Sequence, residues 1–153
     1  MQLIEPTTAG EWQQVRELFG EYWRSFGFSP CFQGFAAEVA GLPGAYGPPS
    51  GTLVMALVDG KPTGCAAIRR FDGQRAEAKR LFVKPEFRGA GVGRALLKWV
   101  IAATRQMGYQ EIVGDTIPEM AVALAMYDRS GFERTTPHTA NPAPGLIFLS
   151  LKL

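Results

Sequence analysis

The stretch that most limits the possible folds runs from Glu77 to Met107. It begins with a short apolar segment, Ala78 to Val83, that stops at Pro85 and so reads as a strand. From Val92 onward the apolar residues Val92, Ala95, Leu96, Trp99, Ala103 and Met107 keep the spacing of one helical face. Between strand and helix lie glycines at 89, 91 and 93, with Arg88 in front of them. Glycine lets the backbone turn sharply and carries no side chain to hold a ligand away from the amide N–H groups. Those amides, with the unpaired ones of the helix's first turn, form a cradle for a phosphate group. The expected unit is therefore strand, turn and helix with a pyrophosphate at the turn.

Spacing decides which cradle it is. A dinucleotide fingerprint needs Gly-x-Gly-x-x-Gly, but the third position after Gly91 is Arg94. A nucleotide P-loop needs Gly-x-x-x-x-Gly-Lys-Ser/Thr, and no such run occurs in the chain. What remains is Arg88-x-x-Gly91-x-Gly93 following Leu81-x-Val83-x-Pro85. This pattern resembles the acyl-CoA signature of the GNAT superfamily of N-acetyltransferases. The resemblance implies acetyl-CoA as cosubstrate and no metal. It implies that the diphosphate lies on Arg88, Gly89, Ala90, Gly91, Val92, Gly93 and Arg94. It also implies that the pantetheine runs along the main chain of Leu81 and Val83, with the backbone at Phe82 supporting the developing oxyanion.

The rest of the chain supplies a matching frame. Gln2 to Glu5 reads as a first strand, and Thr7-Thr8 cap a helix bearing Trp12, Val15, Leu18, Phe19, Tyr22, Trp23 and Phe26. A second helix is expected over 32–40, then a loop rich in proline and glycine through Gly51. Thr52 to Val58, Thr63 to Phe71 and the Glu77 strand are joined by Asp59-Gly60 and Asp72-Gly73, giving an antiparallel run of three. Gly108 ends the central helix, and Glu111 to Asp115 forms a strand parallel to the cradle strand. Thr116-x-x-Glu119 reads as a capping box for a helix over 117–129, followed by strands over 132–136 and 146–151. The order predicts one α/β domain over residues 1–153: a mixed, mostly antiparallel sheet of about seven strands with helices on both faces. It is also the element order of GNAT proteins, which adds a splayed central parallel pair.

Composition bounds the partners. An apolar share of 46% suits one globular domain with a full core. A net charge of +2 and a pI near 8.7 give no footprint for nucleic acid. The longest apolar run, Leu53 to Val58, is far too short to cross a membrane, and no charged leader with an apolar run opens the sequence. Cys31 and Cys65 read as free thiols, so a cytoplasmic protein is expected. A homodimer is compatible with this sequence.

The second signature is Ala123-Leu-Ala-Met126-Tyr127-Asp-Arg-Ser-Gly131-Phe132. It is similar to the GNAT pattern Ala-x-x-Leu-Tyr-x-x-x-Gly-Phe, with Met126 in the Leu position. The resemblance puts Ala123 and Tyr127 beside the CoA sulfur and gives Tyr127 the role of general acid to the departing thiolate. The plain alternative is a core tyrosine at helical spacing from Ala123 and Leu124. Met120 stands where the family commonly has an asparagine on the pantetheine arm.

An acceptor ammonium must lose a proton before it can attack. Glu77 sits on the cradle strand where some family members carry a catalytic glutamate, and burial beside an apolar ligand would raise its proton affinity; the plain alternative is a solvated strand-edge charge paired with Lys79 or Arg75. His138 is the other candidate, since histidine titrates near neutral pH, although it lies in a Thr/Pro-rich loop where a surface residue is the simpler reading. A base acting through ordered water stays open beside them. In GNAT folds the first two helices and their loop wall the acceptor site, which here offers Tyr22, Trp23, Phe26, Phe28, Phe32, Phe35 and Tyr46, with Arg24, Glu38 and Arg69 as polar selectors. No long acidic groove for a basic peptide is apparent, so the expected acceptor is the primary amine of a small molecule. The alternative is a non-catalytic acyl-CoA-binding module on the same fold.

Overall fold

The computed structural model describes residues 1–25, 34–139 and 145–153. In chain order the elements are β1 (Gln2–Ile4), α1 (Ala9–Ser25), α2 (Phe35–Ala40), β2 (Thr52–Val58), β3 (Lys61–Arg70), β4 (Arg75–Val83), α3 (Val92–Gln106), β5 (Glu111–Thr116), α4 (Ala121–Arg129), β6 (Glu133–Arg134) and β7 (Ile147–Lys152). They form one open sheet in the order β1-β2-β3-β4-β5-β7-β6. Every neighbouring pair is antiparallel except β4 with β5. This is the mixed sheet that the element order predicts.

Alternation along the strands builds a core on each face. On β2, Leu53 and Met55 join Val15, Leu18 and Phe19 of α1 in one cluster. Val54 and Ala56 point the other way, against Leu96, Leu97 and Val100 of α3. The start of α1 is a reciprocal cap: Glu11 N–H donates to Thr8 Oγ1 at 3.1 Å, and Glu11 Oε1 accepts from the amides of Thr7 and Thr8 at 2.9 and 3.0 Å.

Two expectations shift at the far end of the sheet. The helix expected from residue 117 begins at Ala121, because Thr116 stays in β5 opposite Ile147 and is buried. No side chain caps α4. The strand expected over 132–136 shrinks to Glu133–Arg134, paired with Ser150 and Leu149. Phe26, expected at the end of the first helix, lies outside the described residues, as do Phe28, Cys31 and the start of the second expected helix with Phe32.

Candidate active site

The parallel pair at the centre of the sheet comes apart. β4 and β5 are in register only at Arg75–Glu111, Ala76–Ile112 and Glu77–Val113. Past Glu77, β4 stays on β3 as far as Val83 and β5 stays on β7 as far as Thr116. Two inner strand edges, 78–83 and 114–116, therefore face each other across a gap.

A bulge in β4 marks the separation. Cys65 pairs with Phe82 and Ala67 with Lys79, so Arg80 and Leu81 together stand opposite Ala66. Arg80 has φ of +59°, a left-handed conformation that costs a non-glycine residue about 1–2 kcal/mol. Two contacts hold it there. Its guanidinium grips Glu38 of α2 through two bonds, Nε at 2.8 Å and Nη2 at 3.0 Å, and the Cys65 thiol donates to its carbonyl at 3.5 Å.

Beyond the bulge, Lys84 N–H donates to the Thr63 carbonyl at 2.8 Å. Alternation then turns the peptide groups of Val83 and Leu81 into the gap and those of Phe82 toward β3. The backbone of Phe82, expected to support the oxyanion, is thus turned away from the gap, and the amides on the inner edge are those of Leu81 and Val83. The Phe82 ring packs edge-on to Tyr22, with centroids 5.8 Å apart.

At the mouth of the gap, Pro85–Phe87 form one tight turn and Arg88 Nε reaches back to the Val83 carbonyl at 3.0 Å. Arg88 is thus a staple of the loop with the rest of its guanidinium exposed. Gly89 and Gly91 have φ of +85° and +86°, and the space where their side chains would be is open. The first bond of α3 runs from Ala95 N–H to the Gly91 carbonyl at 3.1 Å. The amides of Val92, Gly93 and Arg94 precede it and have no intrahelical acceptor. The residues expected to hold a diphosphate are therefore gathered into a concave, amide-lined turn whose chemistry fits that group.

α4 closes the other side. Met126 Sδ lies 3.6 Å from the point where Gly93 would carry a Cβ, so the two helices approach closely at the loop. Tyr127, one residue on, packs its ring at 62° against Phe132 with centroids 5.3 Å apart. Burial raises the proton affinity of its phenol, and Tyr22 and Asp115 push the same way. The hydroxyl stays protonated at neutral pH, as a proton donor must.

Glu77 lies at the apex of the gap and is 2% exposed. Its Oε1 accepts from Arg69 Nε at 2.8 Å, and its Oε2 faces Lys79 Nζ at 3.7 Å and His138 Nε2 at 3.2 Å. Burial pushes its proton affinity up, but Lys79 and Arg69 pull it down further, so the net shift is downward. The raised affinity expected from burial alone is therefore overturned by the two cations. His138 differs from its sequence reading too: its side chain is 3% exposed, not on the surface. Phe71 and Phe148 pack edge-on against its ring at 5.2 and 5.1 Å. Glu77, Asp115 and His138 offer polar atoms within 4.8 Å of one another. A cation there would compete with Arg69 and Lys79 for the Glu77 carboxylate.

A model of the Acetyltransferase (GNAT) family matches residues 12–132. The chain belongs to the GNAT acetyltransferase family. An uncharacterized N-acetyltransferase of Schizosaccharomyces pombe is 36% identical over 138 residues, spanning 89% of this chain and 85% of its own. Among solved structures, an acetyltransferase from Streptococcus agalactiae superposes with a TM-score of 0.83 at 21% identity, over 99% of this chain and 98% of that one. A GNAT acetyltransferase from Elizabethkingia anophelis with acetyl-CoA bound has a TM-score of 0.58 and 25% identity, over 68% and 77% of the two chains.

On the acceptor side of this GNAT sheet, the expected wall divides into core and cavity. Trp23 is 5% exposed and stacks on Phe35 at 4.3 Å, which places it beneath the site. Tyr46 is also buried, edge-on to Phe19, yet it lines a cavity of about 290 Å³ with Glu38, Pro43 and Arg69. Arg69 is half-buried, at 36% side-chain exposure, and it links the cavity to Glu77. Tyr22 stands between Phe82 and the Arg80 guanidinium, 5.9 Å from its ring. Asp115 is the residue that sequence reasoning passed over. Its position opposite Phe148, just past the last β4–β5 pair, is a matter of register between distant strands.

Proposed function

We propose that this protein transfers the acetyl group of acetyl-CoA to the primary amine of a small molecule, by direct attack within a ternary complex. The observation that carries this reading is the amide-lined turn at 88–94 opening onto a gap between β4 and β5, with Tyr127 on the helix alongside. The CoA diphosphate sits on the turn, and the pantetheine enters the gap as an added strand along the Leu81 and Val83 edge. Acetyl-CoA bound to the Elizabethkingia anophelis relative supports the choice of donor. A cavity of about 290 Å³ on the α2 side supports a small acceptor.

The chemistry then runs as follows. The acceptor ammonium gives one proton to a base in the Glu77 and His138 cluster and thence to solvent. The freed lone pair attacks the thioester carbonyl, and inner-edge amides steady the oxygen as it becomes negative. As the adduct collapses, the carbon–sulfur bond breaks and Tyr127 protonates the sulfur. The second proton shed by nitrogen replaces the one Tyr127 has given. The products are the N-acetyl amine and free CoA.

Incubation with acetyl-CoA and a panel of small primary amines, following release of free thiol, tests this. Turnover with at least one amine is expected. Tight CoA binding without thiol release from any amine would leave a non-catalytic acyl-CoA-binding module instead.

A further inference from the structure

Resting on the acetyltransferase reading, we infer that His138 is the residue that accepts the amine's proton, and that Glu77 is the positioning residue that holds its imidazole. The two functions separate because of what each group already touches. Both oxygens of Glu77 are engaged, one by Arg69 at 2.8 Å and the other by Lys79 at 3.7 Å and His138 at 3.2 Å. A carboxylate neutralised in this way binds a proton weakly, and the shift of Glu77 is downward.

The imidazole still has one nitrogen unengaged among the described residues. An ionised carboxylate can only accept a hydrogen bond, so the His138 nitrogen facing Glu77 carries the hydrogen. The neutral ring then offers a lone pair at Nδ1, which is buried and has no partner among the described residues. A buried acceptor left unpaired is costly to maintain, and an incoming ammonium supplies the missing donor. Phe71 and Phe148 clamp the ring edge-on from either side, so its plane is set before any acceptor arrives.

Location agrees with the role. Glu77 is the last β4 residue paired to β5, so the imidazole sits over the apex of the gap. Asp115, two residues further along β5, lies within reach of both groups and also acts on Tyr127. The charged groups facing the ring are Glu77 and Lys79 from β4, Arg69 from β3 and Asp115 from β5. The step is balanced: Nδ1 gains the ammonium proton, the nitrogen gains a lone pair, and the imidazolium returns the proton to solvent.

His138 is the only histidine in the 153 residues, so its ring gives a single set of nitrogen-15 NMR signals. We expect a neutral ring with hydrogen on Nε2 and none on Nδ1. Glu77→Gln should release that tautomer and let hydrogen appear on either ring nitrogen, because a neutral amide can donate as well as accept. In turnover, His138→Gln should lower kcat by about 10²–10⁴, leave the KM for acetyl-CoA nearly unchanged and abolish the acidic limb of the kcat profile. Glu77→Gln should retain that limb at a reduced kcat, because the imidazole remains while its tautomer is no longer fixed, a change of nitrogen-15 signals that a merely structural role would not produce. Hydrogen on Nδ1 in the wild-type spectrum overturns the assignment even where His138→Gln does not fold. So does an acidic limb that persists in His138→Gln, and in that case acetyl transfer itself stands. No thiol release from the wild-type protein with any amine overturns the acetyltransferase reading, and this assignment falls with it.

Discussion

A buried phenol has a definite proton state, and Tyr127, packed on Phe132, is one. Burial first, then Tyr22 and Asp115, raise its proton affinity, so its hydroxyl is protonated at any physiological pH. Tyr127→Phe keeps the ring against Phe132 and removes only the hydroxyl. We expect kcat to fall by about 10²–10⁴ while the Kd for CoA, by calorimetry, changes little. Equal losses in binding and turnover would make the ring a packing element instead. Tyr127 was legible in the sequence because its signature is local. His138 was legible only as a candidate base; its pairing with Glu77, 61 positions away, was not, since only tertiary packing brings them together. Arg69 was within reach: the Asp72-Gly73 turn sets it opposite Glu77 in the hairpin. Helical spacing pointed Trp23 and the other aromatics inward, but it carries no information on whether inward means core or cavity.

At the scale of elements, the site depends on two departures from regular structure. One is the bulge at Arg80, whose left-handed backbone is held by Glu38, 42 positions earlier. Nothing in the β4 sequence signals it, because the favourable contacts that offset its strain come from α2 and β3. The other is the turn at Gly89 and Gly91, legible at once because positive φ selects glycine. Gly91→Ala tests what that turn does. The added methyl meets no protein atom within 4 Å, so the expected loss of stability is the backbone strain alone, about 1–2 kcal/mol. It would occupy the cradle, however, and the Kd for CoA should rise by about tenfold or more. Gly60→Ala is the matched control. Its φ is +75° in the β2–β3 hairpin, also with no atom in the way, so it should show a comparable loss in thermal melting and no change in CoA binding. If both variants bind CoA like the wild type, the turn is not the diphosphate site.

The whole molecule carries the same carboxylate that the site uses, and this links acid stability to the active-site cluster. Glu77 ties β4 to β3 through Arg69 and to the segment before β7 through His138. Its proton affinity is lower in the fold than its usual value of 4.5, burial being outweighed by Lys79 and Arg69. Its contribution to stability is therefore complete above the unfolded value and is lost as pH falls through the lower folded one. Unfolding free energies from urea titration should accordingly fall between about pH 5 and pH 3. Glu11 and Asp72 also have lowered values, through the amides of Thr7 and Gln74, so the wild-type curve alone does not isolate Glu77. The difference between wild type and Glu77→Gln does. At neutral pH the variant should be less stable by about 1–3 kcal/mol, because Arg69 and Lys79 lose their counter-charge. That deficit should narrow steadily toward pH 3, since protonation removes from the wild type what the substitution has already removed. Two curves that stay parallel across this range would mean the cluster is held by packing of the His138 ring and not by charge. The orientation of the imidazole would then survive loss of the carboxylate.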